Sequence, residues 1–170
     1  MRNFLLLLIA ILSLVSCDSK HVHDEYKTIS NTWKKGAIIP FSFKAPDTIN
    51  SYNLFLNIRN NNDYEFSNLF LIVGLNSPKG NRTIDTLEYE MTTPRGEWLG
   101  TGFSNIKENK LWFKEQFQFT ENGEYTLSIE HAIRKNGDTR GVTELKGVTD
   151  IGFRIEKHTK EKHTKEKKAL

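Results

Sequence analysis

The chain holds very little sulfur: one cysteine, Cys17, and two methionines in 170 residues. A lone cysteine excludes an internal disulfide and the clustered thiolates of a structural zinc site. Prolines number only four. The main apolar stretch, residues 4–15, is 12 residues long, against the ~20 that a spanning helix needs. No G-x-S-x-G, H-E-x-x-H, P-loop or dinucleotide fingerprint occurs, so the common signatures of hydrolases, metalloproteases and nucleotide enzymes are missing. A charge surplus is missing from the body as well. The whole chain carries +3, but residues 157–170 hold six lysines and two glutamates. Residues 17–156 carry 17 basic and 19 acidic side chains. A near-neutral body of this kind lacks the electrostatic footprint of a nucleic-acid-binding domain.

At the start, Arg2 precedes the apolar stretch, and small residues lead to Leu14-Val15-Ser16-Cys17. A basic start, a short apolar core and a cut site read as a secretory signal. The tetrapeptide resembles the lipobox of bacterial lipoproteins. That resemblance implies cleavage before Cys17, a diacylglycerol thioether on its sulfur, and acylation of the new N-terminus. Two or three acyl chains hold a protein stably at a membrane surface, whereas one does so only marginally. With Cys17 acylated, no thiol remains for catalysis or metal binding.

Four segments are expected: a lipoprotein signal peptide over 1–16, a lipidated N-terminus and tether over 17–36, a folded domain over 37–156, and a disordered basic tail over 157–170. The tether is polar, with His21, His23, Asp24 and Glu25, and a turn of helix is expected near Tyr26. The tail repeats His-Thr-Lys-Glu-Lys at 158 and 163 and has too little apolar content to fold alone. Its lysines could also contact anionic head groups or glycans.

From Ala37 onward the apolar period is two, the signal for half-buried strands. Ile39, Phe41 and Phe43 alternate with polar residues. Leu54, Leu56 and Ile58 do the same, as do Leu87, Tyr89 and Met91, and Ile151, Phe153 and Ile155. Residues 67–76 are apolar on both faces, as in a central strand. Asn60-Asn61-Asn62-Asp63, Pro78-Lys79-Gly80, Asn122-Gly123 and Asn136-Gly137 mark turns. Seven or eight short strands without helical periodicity predict an all-β, antiparallel two-sheet sandwich of jelly-roll or Ig-like type, with a closed barrel as the alternative.

Candidate chemistry is sparse. His131 is the one histidine inside the predicted domain body, and a lone strand histidine points to packing. The tether histidines and acids offer no rigid metal site, so neither metal nor cofactor is expected. Glu88 with Glu90, and Glu97 with Glu108, are carboxylate pairs, but acids at i and i+2 fit a solvated strand face better than the two positioned carboxylates of a glycosidase. Thr48 and Thr86 each lie in an Asp-Thr-apolar tripeptide, similar to the O-glycosylation acceptors of exported Bacteroidetes proteins. The densest unusual segment is residues 96–113. It places Trp98, Gly100, Gly102 and Trp112 in a connection that should otherwise be polar. Aromatics among glycines can form a contact platform for a partner or a sugar; they can equally hold a long connection onto the core.

That segment, with the lipobox at Cys17, Leu54-Phe55-Leu56-Asn57-Ile58-Arg59, Asp85-Thr86-Leu87-Glu88-Tyr89-Glu90-Met91 and Gly147-Val148-Thr149-Asp150-Ile151-Gly152-Phe153-Arg154, resembles the gliding motility lipoprotein GldH family of Bacteroidetes in order and spacing. The resemblance implies a cell-envelope lipoprotein, anchored to a membrane through Cys17 and facing the periplasm. It implies a role in gliding motility and the linked type IX secretion system, contacts with other envelope proteins, and no catalytic residues. Two readings from other classes stand beside it: a carbohydrate-binding sandwich, which requires an exposed aromatic row on one sheet face, and a hydrolase built on Glu88, Glu97, Glu108 or His131.

Overall fold

The computed structural model describes residues 21–135 and 137–159. Cys17, the signal segment and most of the basic tail lie outside the described residues.

Ten strands follow one another, and no helix occurs among the described residues: β1 (His21–Thr28), β2 (Thr32–Lys34), β3 (Ile39–Lys44), β4 (Ser51–Asn60), β5 (Asn68–Asn76), β6 (Arg82–Glu90), β7 (Lys107–Gln118), β8 (Glu124–His131), β9 (Glu144–Lys146) and β10 (Val148–Lys157). They form two four-stranded sheets, ordered β1-β10-β4-β7 and β3-β8-β5-β6, with β2-β9 as a small third ladder. Every ladder is antiparallel. This is the expected sandwich, not the closed barrel.

The alternating residues build the core. Leu54, Leu56 and Ile58 of β4 face inward with Ile151, Phe153 and Ile155 of β10, and all are buried. Opposite them stand Phe41 and Phe43 of β3, Leu127 and Ile129 of β8, and Leu69, Leu71 and Val73 of β5. Each such side chain contributes roughly 1.5–3 kcal/mol on full burial. Phe43 packs on Phe153, Tyr125 and Phe119 with centroids 4.9–6.0 Å apart. Strand β5 lies inside its sheet as its pattern predicts, but its outward Phe70 and Ile72 remain half-buried.

The expected tether is not a tether from His21 onward, and the turn of helix near Tyr26 is not formed. His21–Thr28 pairs with β10 as an edge strand, and Thr32–Lys34 pairs with β9. The apolar alternation that marks the other strands is absent here for a physical reason. The inward positions of β1 are His23, Glu25 and Lys27, opposite Ile155, Phe153 and Ile151. His23 sits 5.7 Å from both the Phe43 and Phe153 rings, and the Lys27 ammonium lies over Phe41 at 5.2 Å. Pairing with β10, not hydrophobic patterning, makes this strand. Trp33 is fully buried, its Nε1 donating to the Ala37 carbonyl at 2.8 Å. At the other end, Lys157 still pairs with Tyr52, so the body runs one residue past its expected limit. Gly147 makes the tight β9–β10 turn at φ 82°; a Cβ there would lie 2.2 Å from the Tyr64 nitrogen.

The register gives the sandwich two poles. His21 lies across from Glu156, and Tyr52 lies across from Lys157 and Phe117, at one pole. Thr28, Asp150, Asn60 and Lys107 mark the other.

Candidate functional site

The connection between β6 and β7 crosses the pole opposite His21. Thr93 and Glu97 close a turn, with Glu97 O accepting from Thr93 N at 2.8 Å, and Thr92 bridges to Trp98. The Leu99 N–H then donates to Met91 O at 3.0 Å. Thr101 and Glu108 exchange two backbone hydrogen bonds, at 2.9 and 2.8 Å, and so tie off a short hairpin. The two glycines permit this fold-back. A Cβ at Gly102 would lie 2.2 Å from the Ile106 carbonyl oxygen, and one at Gly100 would lie 2.6 Å from Asn109 Oδ1. Their role is close approach of backbone. Lys107 Nζ donates to Gly102 O at 2.9 Å and steadies the tip.

The two tryptophans serve different surfaces. Trp98 is half-buried, packs against the core and faces the Tyr64 ring at 6.2 Å. Trp112 stands on the outer face of its sheet, half exposed, against Phe55 at 4.5 Å. They do not form one platform. The exposed apolar surface of the segment comes instead from Leu99, Phe103, Ile106 and Trp112, half of the eight exposed large hydrophobic residues among those described. Phe103, at the hairpin tip, is fully exposed at 113%. Residue type alone does not reveal this; the flanking Gly102, Ser104 and Asn105 are the signal that places Phe103 in a turn. Leu99, Gly100 and Thr101 also line a shallow cleft of about 360 Å³ with Glu90, Glu108 and Leu111. A larger open depression of about 580 Å³ lies elsewhere, among Glu65, Phe66, Lys135 and Arg140.

Beside the hairpin, the outer face of the β1-β10-β4-β7 sheet is roofed by a polar network. The Tyr26 hydroxyl donates to Glu108 Oε1 at 2.7 Å, Arg59 Nε donates to Oε2 at 3.0 Å, and Asn57 Nδ2 donates to the Tyr26 oxygen at 2.9 Å. Burial pushes up the Glu108 carboxyl, but hydrogen bonds from Tyr26 and Arg59 and the charges of Arg59 and Arg154 outweigh it and hold it below its usual value. Burial, helped by the Glu108 contact, pushes the Tyr26 hydroxyl up to about 12. Arg154 pairs with Asp24, and Lys110 pairs with Glu156 at 2.6 Å while lying 4.0 Å from the Phe55 ring centroid. Every acid named here is matched by a cation or donor.

The remaining candidates are dispersed. His131 is buried against Trp33 with ring centroids 5.4 Å apart. Burial depresses its pKa, Lys35 adds to the shift, and the Trp33 backbone opposes it. Neither ring nitrogen reaches a hydrogen-bond partner with good geometry among the described residues. Glu88 and Glu90 are exposed on β6, and Asn68 donates to Glu88 at 2.8 Å. His21 lies 3.3 Å from Glu156, and among the described residues no three His, Cys, Asp or Glu side chains gather as a metal site. Thr48 is half-buried in the β3–β4 loop, where its carbonyl accepts from Gln118. Thr86 is exposed on β6. Trp112 is the one exposed aromatic standing on a sheet among the described residues, so the row required of a sugar platform is not formed there.

Comparison with known proteins adds the relatives. A family model described as GldH lipoprotein matches residues 21–155. The chain is 55% identical over 142 residues to a protein named gliding motility lipoprotein GldH homolog from Christiangramia forsetii, covering 84% of this chain and 87% of that one. It is 46% identical over 156 residues to gliding motility lipoprotein GldH of Flavobacterium johnsoniae, covering 92% and 97%. Among solved structures, a family GH115 4-O-methyl-alpha-glucuronidase overlaps it at 16% identity and TM-score 0.46, over 85% of this chain and 18% of that one. An overlap that loose carries no inference about function.

Proposed function

The chain belongs to the GldH lipoprotein family, and from that premise we propose that it is a lipid-anchored cell-envelope protein serving the gliding motility and type IX secretion machinery as an accessory component. It works by binding other envelope proteins and does no chemistry of its own. The observation that carries this reading is the exposed apolar tip at Phe103, flanked by Leu99 and Ile106. A fully exposed phenylalanine on a tied-down hairpin is costly to leave in water and suited to a partner's pocket.

The anchor supports the same reading. Three residues separate Cys17 from His21, a reach of at most ~14 Å when extended. An acylated Cys17 therefore keeps the His21 pole next to the bilayer on its periplasmic side. The hairpin leaves from the opposite pole, ten residues of β4 away, or ~33 Å. The partner meets Phe103 from the aqueous side.

Deletion of the gene, scored by secretion of type IX cargo and by colony spreading, tests the assignment. Loss of both is expected; normal secretion and spreading in the deletion strain would overturn it.

A further inference from the structure

A sandwich of two open sheets has four edge strands, and three of them here carry features that discourage strand addition. β1 points His23, Glu25 and Lys27 inward and shifts register between His21 and His23. β3 is six residues long and contains Pro40. β7 is bulged opposite Tyr52, Leu54 and Phe55, has Gln116 at φ 50°, and is covered at one end by Thr101. Such features are the ordinary protection of sheet edges.

Of these features β6 has one, an inward charge at Asp85. It pairs with β5 through nine consecutive positions without a register shift, from Arg82 opposite Asn76 to Glu90 opposite Asn68. It has no proline, glycine or lysine, and Thr83, Ile84, Thr86 and Tyr89 favour extended backbone. Its one inward charge, Asp85, is neutralised by Lys114 at 2.9 Å. Among the described residues, no loop or side chain hydrogen-bonds the outward backbone groups of residues 82–90. Cover begins at Met91, whose carbonyl accepts from Leu99.

We propose that this edge pairs antiparallel with β6 of a second copy of the chain, about a two-fold axis through Thr86. The charges favour this occupant. Thr86 is the centre of the open window 82–90. Pairing about it sets Arg82 against Glu90 of the other copy, twice, with Ile84 against Glu88 and Thr86 against Thr86. No like charges face each other directly. An axis moved by one residue to Asp85, or by two to Glu88, sets carboxylate against carboxylate, which destabilises cross-strand pairs. The product is a continuous eight-stranded sheet, β3-β8-β5-β6 followed by its mirror order, and the one unprotected edge disappears. The pairing does not depend on the secretion role.

The test is disulfide trapping in intact cells expressing the full-length protein with Thr86→Cys. Under mild oxidation this variant is expected to run as a dimer of twice the chain mass, whereas Ser42→Cys, on the opposite edge of the same sheet, stays monomeric. Adding Arg82→Glu should reduce the dimer severalfold, and adding Glu90→Arg to that should restore it. These side chains are exposed, and thermal melting of each variant checks that the fold is intact. The proposal is overturned if Thr86→Cys remains monomeric, if it cross-links to a chain of different mass, if Ser42→Cys dimerises equally, or if intact mass shows a glycan on Thr86.

Discussion

The Tyr26 hydroxyl donates to the Glu108 carboxylate at 2.7 Å, joining edge strand β1 to edge strand β7 across the outer face of β10 and β4. The ring crosses Gly152, where a Cβ would lie 2.8 Å from two Tyr26 ring atoms. Glycine on β10 thus makes room for the tyrosine that closes the network with Asn57 and Arg59.

Tyr26→Phe removes one donor from Glu108 and the acceptor of Asn57, whose side-chain oxygen already has no partner. A loss of about 1–2 kcal/mol is expected, because a polar group under cover loses its bond. Urea unfolding measures it. The acid limb should change too. A carboxyl held below its usual value contributes stability above that value, and this is lost as pH falls through the lower folded value. Tyr26→Phe weakens the depression at Glu108, so the variant's stability should depend less on pH below about 4.5 than the parent's does.

His131 gives a second, separate pH window. Its folded pKa lies below the ordinary histidine value of 6.5, so the unfolded chain binds the proton more readily. Stability is then full above 6.5 and falls as pH drops below it toward the folded value. His131→Leu should flatten the stability profile between pH 6.5 and 5, as measured by urea midpoints across that range. A profile as steep as the parent's would show that another group titrates.

Gly102→Ala should destabilise the hairpin, since the added Cβ meets a backbone oxygen that cannot turn away. A cost of about 1–3 kcal/mol is typical of such overpacking. Hydrogen exchange should show the Thr101 and Glu108 amides, now protected by their mutual bonds, opening before the core strands.

Cys17→Ser should leave the domain folded, because the sheets begin at His21, and should move the protein from the membrane fraction to the soluble fraction. Fractionation with a melting curve on the released protein checks both.

Much of the sandwich was legible in the chain, for identifiable reasons. Wherever one face of a strand meets the core, as at Leu54, Leu56 and Ile58 or Ile151, Phe153 and Ile155, the period of two reports it directly. β1 was illegible because its inward residues are His23, Glu25 and Lys27, held by rings and by pairing with β10. The segment at 96–113 stood out by composition, but composition could not separate Trp98, anchored near Tyr64, from Trp112, exposed on the sheet. Nor could it single out Phe103, whose exposure follows from the Thr101–Glu108 bridge. The Tyr26–Glu108 contact joins residues 82 apart and depends on a register that only the assembled sheet defines.

In the proposed function the hairpin tip is the partner contact. Phe103 is fully exposed, so Phe103→Asp should change stability by no more than about 0.5 kcal/mol and leave the protein in the membrane fraction at parental abundance. The deciding measurement is complementation of a deletion strain with that variant, scored by secretion of type IX cargo. Secretion well below that restored by the parent gene is expected, from a protein that melts normally. Full restoration by Phe103→Asp would contradict it.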